Sequence, residues 1–459
     1  MLKVTLVNPP HTTRYPQVPM GLALLAAVLE KAGYPVKVLD ANALNLVPDN
    51  VAAYVGDADV VALTAMTPTV SSAIAVARYS KQVNPRQTVI LGGAHATLLP
   101  EETMQKAPEI DIVVRGEGEE TFPELLSALD TGRPLDDVAG ITFRSKGGLV
   151  ATPPRRSEIN LEALPFFAYH LLSLEQYHPH PPHGLASPSA ALITSRGCPY
   201  HCAYCSKPIF GNRFRAQSPE RVLAEIEYLQ HRFGIREIAF YDDVFTLDKK
   251  RARAIAEGLL QRGIRLHWTC ETRVNLVDKE LLQLFKKAGC YFIAYGIESA
   301  NPDILKTMHK DISLEQVEEA VRWTRESGIQ TIGYFMLGSP GETPETIRQT
   351  IDLARKLKLD FAQFSVTTPF PGTELYRLLG ERGKDIPWEA FVYAGADSQL
   401  IPLFENNRLS KEDLKFWTKR AYREFYLRPA YVWQRLTEMR SLNDLKLNLK
   451  GLKMLMGSV

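Results

Sequence analysis

Apolar residues recur along the first 130 positions in short runs, separated by helix-length stretches with one apolar face. The runs lie at 3–7, 36–40, 60–64, 89–92 and 112–115, and strands alternating with helices at this spacing predict an open, parallel, Rossmann-like α/β sheet. Each run stops at small or polar residues: Asn8-Pro9-Pro10, Asp40-Ala41-Asn42, Ala65-Met66-Thr67-Pro68-Thr69, Gly92-Gly93-Ala94-His95 and Gly116-Glu117-Gly118-Glu119. Doubly wound sheets bind ligands at such carboxyl ends. The pair Gly92-Gly93 would let backbone come close to a bulky ligand, because neither residue carries a side chain.

From 131 to 189 the periodicity fades and proline accumulates, which predicts a connector. Within it, Tyr177-His178-Pro179-His180-Pro181-Pro182-His183 reads as an extended, solvated linker before it reads as a metal site. A second block, 190–375, repeats a helix–strand unit. Strands at 190–194, 237–241, 266–272, 291–297, 331–337 and 361–366 alternate with helices at 219–233, 249–262, 278–288, 314–327 and 344–357. Six such strands predict a partial (β/α)6 barrel with its chemistry at the carboxyl-terminal face. Residues 376–459 read as helical.

Composition changes this picture little. The 459 residues are 45% hydrophobic and 23% charged, as in ordinary globular proteins, and a net charge of +2 gives no general field for nucleic acid or membrane. Positions 1–7 read as a strand without a cleavage site, no apolar run is long enough to span a membrane, and clustered cysteines then indicate a reducing cytoplasm. Charge is uneven only at the end, where 410–459 hold eleven Lys and Arg against five Asp and Glu. There Leu442, Leu445, Leu449 and Leu452 mark one helical face beside Lys446, Lys450 and Lys453. This pattern fits a helix docked on the barrel, with contact to an anionic membrane surface as the other reading.

The chemistry concentrates in Ser195-Arg196-Gly197-Cys198-Pro199-Tyr200-His201-Cys202-Ala203-Tyr204-Cys205, where Cys198, Cys202 and Cys205 stand at C-x3-C-x2-C. Thiolates this close share one centre only if the backbone loops around it, which suits a soft metal or an iron–sulfur cluster. A structural zinc loop completed by His201 is the alternative, but zinc loops usually bring a second cysteine or histidine pair. Three thiolates on a cubane leave one iron open to chelate S-adenosylmethionine (SAM). Cys270 and Cys290 stand alone near predicted strands and are expected to be small core residues.

The spacing, with Tyr204 before the last cysteine, resembles the radical SAM signature. The pieces of the first segment, including Gly21-Leu22-Ala23-Leu24-Leu25-Ala26, resemble in order the cobalamin-binding domain that precedes that barrel in one large subfamily. The resemblance implies a 4Fe–4S cluster, cleavage of SAM to a 5′-deoxyadenosyl radical, and cobalamin in residues 1–130. It places cobalamin against Asn8, Pro9, Gly21, Met66, Thr67, Pro68, Thr69, Gly92, Gly93, His95, Gly116 and Glu117. The D-x-H-x-x-G motif that supplies cobalt with histidine is missing, so no histidine ligand is expected. In the barrel it places Asp242 or Asp243 near the methionine amine, Arg273 near its carboxylate and Glu298 near the ribose. Tyr204, Leu337 and Gly338 would flank adenine, and Glu271 and Ser299 belong to the same strand-end set.

The whole chain most resembles the subgroup of the anaerobic magnesium-protoporphyrin monomethyl ester cyclase, which also holds C-methylases of tetrapyrroles, lipids and natural products. Methylation of an unactivated carbon is the expected reaction and oxidative cyclisation the alternative. A low-potential donor such as flavodoxin or ferredoxin is the implied electron source. A transfer-RNA methylthiotransferase would need three further cysteines upstream, and 1–197 contain none. A non-catalytic cobalamin or metal carrier would not need the charged strand ends of the second block.

Overall fold

A computed structural model of the chain describes residues 1–11, 16–155, 159–177, 184–383, 385–391, 408–429 and 431–433. The histidine–proline patch from His178 to His183 and the leucine face from Leu442 to Leu452 lie outside the described residues.

The first sheet has seven strands in the order β2-β1-β3-β4-β5-β6-β7. β1 (Val4–Asn8), β2 (Val36–Asp40), β3 (Val60–Thr64), β4 (Thr88–Gly92) and β5 (Ile112–Val114) are parallel, as their periodicity predicts. β6 (Ile141–Ser145) and β7 (Gly148–Ala151) extend the edge antiparallel, inside the stretch expected to be connector. The hairpin is short and charged at Arg144, so its alternation is faint. Its register comes from tertiary contacts: the Arg144 guanidinium donates to the Ile110 and Ala107 carbonyls, both at 3.0 Å. Separate apolar cores cover the two faces of the sheet. One of them includes Trp388, far along the chain, so the segment 385–391 packs back onto the first domain.

The second sheet is entirely parallel and runs β15-β14-β13-β12-β11-β8. Its strands are β8 (Ser189–Leu192), β11 (Glu237–Phe240), β12 (His267–Thr272), β13 (Cys290–Glu298), β14 (Gln330–Leu337) and β15 (Phe361–Val366). The ribbon β9 (Ser195–Arg196) and β10 (Arg215–Ala216) lies between β8 and β11 in sequence. The helices between strands start sharply because each opens on a side chain that caps it. Ser218, Asp248, Asp278, Ser313 and Thr343 each accept a hydrogen bond from the backbone N–H three residues on, a contact worth about 1 kcal/mol.

Open sheet edges expose unpaired backbone groups. Here tyrosines cover both. On the β15 edge, Tyr422 and Tyr426 of the helix Lys411–Tyr426 take the Phe364 and Ala362 N–H groups at 3.2 and 3.1 Å. On the β8 edge, Tyr169 donates its hydroxyl to the Ala191 carbonyl. The described part of the C-terminal region is therefore docked on the barrel, and among the described residues no helix is long and apolar enough to cross a membrane.

Candidate active site

β9 and β10 pair antiparallel and close a loop, 197–214, that carries Cys198, Cys202 and Cys205. Gly197 opens it at φ +83°, and a Cβ there would stand 2.2 Å from the Arg213 carbonyl oxygen, so only glycine fits. Two carboxylates beyond β11 grip the loop by its backbone. Asp242 is buried and accepts from Thr194 N at 2.5 Å, Thr194 Oγ1 at 2.6 Å and Ser195 N at 2.6 Å. Burial raises its carboxyl above the ordinary value, and the charge of Arg251 with those hydrogen bonds opposes the rise. Asp243 accepts from Gly197 N at 3.0 Å and is otherwise exposed. Arg251 in turn donates to the Thr194 carbonyl at 3.0 Å.

Arg273 lies over the Tyr200 ring, 3.7 Å from its centroid, and points Nη1 at Cys202 Sγ across 3.7 Å. Its Nη2 donates to the carbonyls of Lys310 and Asp311. These contacts bear on two expectations. Both oxygens of Asp242 accept from Thr194 and Ser195, just before the loop, so only Asp243 of the pair is exposed to a ligand. Arg273 is buried against a cysteine instead of standing free for a carboxylate.

At the end of β13, Glu298 takes the left-handed conformation, φ +70°, and is buried. Its Oε1 accepts from Lys310 Nζ and from the Tyr204 hydroxyl, both at 2.9 Å, and Lys310 also donates to Tyr204 at 3.0 Å. Gly296 leaves the room for this triad, since a Cβ there would be 2.6 Å from the carboxylate. Three other expected residues also have close neighbours within the fold. Ser299 is buried, facing Thr350 Oγ1 at 3.3 Å and accepting from Asn301 N at 3.2 Å. The Leu337 side chain is buried in the helix-side core. Gly338 sits under Leu414, so its missing side chain makes room for the C-terminal helix. Glu271 stands one residue before the carboxyl end of β12 and faces Tyr334.

The edge of the first sheet is built differently. Asn8 donates to Asp40 at 2.8 Å, and Thr69 caps the turn at Met66. Gly93, at φ +93°, is needed because a Cβ would stand 2.7 Å from the Ala65 carbonyl oxygen, so its close neighbour is the chain itself. Gly116 N donates to Thr97 at 3.0 Å, and Gly21 is exposed on the first helix. Pro9 is buried, and Pro68 and Gly92 are half-buried beside Met66, which is 45% exposed. His95 is buried: its Nδ1 is 3.1 Å from Thr67 Oγ1 and Trp388 packs edge-on at 4.7 Å. Burial lowers its pKa to about 4, and Lys106 adds to the effect. Glu117 points away from the sheet toward the barrel. It pairs with Arg196 at 2.7 Å and Arg215 at 2.9 Å, while Glu119 takes the other nitrogen of Arg196 at 2.6 Å. The strand-end loop of the first sheet is thus ion-paired to the two residues that flank the cysteine loop.

The radical SAM superfamily model matches residues 192–354 and the B12 binding domain model residues 11–126. PH0819 of Pyrococcus horikoshii, an uncharacterized methyltransferase, is 36% identical over 443 residues, covering 94% of either chain. The chain belongs to the cobalamin-binding radical SAM family. The anaerobic magnesium-protoporphyrin IX monomethyl ester cyclase of Rubrivivax gelatinosus is 31% identical over 425 residues, 90% of this chain and 74% of that one. Among solved structures, the radical SAM methyltransferase TsrM of Kitasatospora setae shares the fold at a TM-score of 0.71 and 23% identity, over 83% of this chain and 78% of that one.

A radical SAM enzyme of this family uses a 4Fe–4S cluster, SAM and cobalamin, and the residues present fit all three. Among the described residues no three His, Cys, Asp or Glu side chains meet as a single metal ion needs, whereas a cubane takes one thiolate per iron. Cys270 and Cys290 are buried in the helix-side core, away from the loop. For the corrin, the first-sheet edge offers exposed Met66 and the bare backbone of Gly92 and Gly116. Periodicity did not reveal Lys310, Arg196, Arg215, Glu119 or Arg251. Arg196 and Glu119 stood inside the cysteine and strand-end motifs, whereas Lys310, Arg215 and Arg251 carried no local hint.

Proposed function

We propose that this radical SAM enzyme methylates an unactivated carbon of an apolar substrate, tetrapyrrole- or lipid-like. Residues 1–130 would hold cobalamin, 190–375 the cluster and SAM, and 376–459 cover the barrel. When bound, the cluster supplies the electron that cleaves SAM and cobalamin carries the methyl group. The observation that carries the reading is the ion pairing of Glu117 and Glu119 with Arg196 and Arg215, which turns the first-sheet edge toward the cysteine loop. A methyl carrier and a hydrogen-abstracting radical must reach one substrate atom, and this junction brings their two domains together.

In that gap Cys198, Cys202 and Cys205 take the cluster, Asp243 the methionine ammonium, Glu298 with Tyr204 the ribose side, and Met66–Thr69 the corrin. A flat or elongated molecule suits the space between two loop sets. The electron comes from a low-potential donor such as flavodoxin or ferredoxin, which with the free thiols fits a cytoplasmic setting. The likeness to the Rubrivivax enzyme favours oxidative cyclisation as the second reading. Incubating the reconstituted protein with methyl-deuterated SAM, a reductant and tetrapyrrole or lipid extracts separates the two. Methylation adds a labelled methyl to a product, whereas cyclisation gives an oxidised product without it; neither product, with SAM intact, would reject both.

A further inference from the structure

The inner face of the barrel carries three glutamates, and two of them are compensated. At the amino end, Glu237 accepts from Leu185 N at 2.7 Å, Ala186 N at 2.8 Å and the Tyr291 hydroxyl at 2.7 Å. At the carboxyl end, Glu298 pairs with Lys310. Between them stands Glu271. Among the described residues its hydrogen-bond neighbour is the Tyr334 hydroxyl, at 3.4 Å, and no cation pairs with it.

Strand geometry sets this placement. Trp268, Cys270 and Thr272 of β12 alternate with Glu271, and Trp268 and Cys270 pack into the helix-side core, so Glu271 points to the opposite, inner face. Glu271 registers with Ala294, and Tyr334 with Gly296, on the strand between them. Those two small residues leave the room for Tyr334 to lie across β13 and reach the carboxyl. Tyr241 follows Phe240, which registers with Cys270, and so stands beside Glu271. It is 41% exposed and donates its hydroxyl to Gln17 of the first domain at 2.6 Å. Phe292, Ala294, Ile332 and Phe361 form an apolar cluster on this face, and Gln363 and Ser365 of β15, on the same face, bond to each other. Glu271 is exposed to the lumen yet enclosed by these walls, and lost hydration raises its carboxyl above the ordinary value.

We propose that Glu271, flanked by Tyr241 and Tyr334, anchors the substrate by accepting a hydrogen bond from a hydroxyl or amine on its otherwise apolar frame. This rests on the enzyme reading above and narrows its substrate class. An uncompensated carboxyl in an apolar wall favours a ligand that brings a donor and disfavours one that brings an anion. The substrate would therefore enter donor end first, leaving its apolar part beneath the cysteine loop. Glu271 is then a substrate contact, in place of its expected role toward SAM.

The test uses the reconstituted full chain and three probes of one size: 2-phenylethylamine, 2-phenylethanol and phenylacetate. Unfolding temperature at a fixed millimolar concentration is the readout. The amine and the alcohol should raise it and phenylacetate should not. In Glu271→Gln the amine should bind about tenfold more weakly, the loss expected for a charge-assisted hydrogen bond. Iron and cobalamin content checks that the variant is folded. Should it not fold, Glu271→Asp keeps the charge but withdraws it by one methylene, and the amine's effect should shrink there too. Equal effects of all three probes on the wild type, or an amine effect that survives substitution, would overturn the proposal. Formation of 5′-deoxyadenosine by the wild type tests the enzyme reading separately: its absence would reject that reading whatever the probes do.

Discussion

The two ligand-bearing regions hold themselves together by opposite means. The cysteine loop is gripped electrostatically, with Asp243 bonded to its first residue, Asp242 and Arg251 to the backbone just before it, and Arg273 laid against Cys202. The first-sheet edge is held by packing and backbone shape, with Gly93 pressed on Ala65 and His95 walled in by Trp388. A small, charged cluster and a zwitterion need fixed charges close by, while a broad corrin needs a surface. Polar residues near the cysteines therefore position atoms, and polar residues on the sheet edge either pack or couple the domains.

Removing Cys202 should break the electrostatic region outright. Cys202→Ala is expected to cut iron from about four per chain to below one after anaerobic reconstitution. Full retention of the cluster would mean that the ligand set is different.

Next in size is the junction that joins the regions. Arg196 is 6% exposed and Glu117 13%, so Glu117→Gln leaves two guanidinium groups short of a buried partner. A loss of about 3 kcal/mol is expected in urea unfolding of the chain without cofactors. A loss below about 0.5 kcal/mol would reduce the junction to a surface contact.

The packed region should show itself through pH. The folded pKa of His95, about 4, lies below its ordinary 6.5, so the unfolded chain takes the proton first. Its contribution is complete above pH 6.5 and is lost as pH falls toward 4. Between pH 6.5 and about 5 that loss is about 2 kcal/mol, and His95→Gln should remove it from the stability profile. Identical profiles for the two proteins would place the ring in water.

The smallest effect sharpens the first region. Arg273 holds a cation beside Cys202, which would favour the reduced form of a cluster proposed there. Arg273→Gln should lower the reduction potential by about 60 mV, one charge-assisted contact on a one-electron couple, at unchanged iron content. A merely structural arginine would lower iron content and leave the potential of the remaining clusters where it was.

Both parallel sheets, the capped helices of the barrel and the cysteine loop were legible in residue order, because periodicity, caps and ligand spacing are local. Strand boundaries moved by a residue or two at most positions, since pairing with neighbours decides where a strand ends. The hairpin β6–β7 was hidden because its register depends on Arg144 reaching carbonyls in another segment.

For the site, the sequence by itself determined which residue types gather at the strand ends and which three cysteines share a loop. Tertiary structure decided what each of them faces. Asp242 and Asp243 are neighbours in sequence, yet one is buried under Thr194 and Ser195 and the other is exposed. Glu117 sits in a glycine-rich loop that suited a cofactor, but its carboxylate meets two arginines about 80 and 100 positions away. Lys310 folds over Glu298, whereas among the described residues no lysine reaches Glu271. A side chain's type is written in the chain, whereas its partner depends on long-range packing, and a charged group's role follows from its partner.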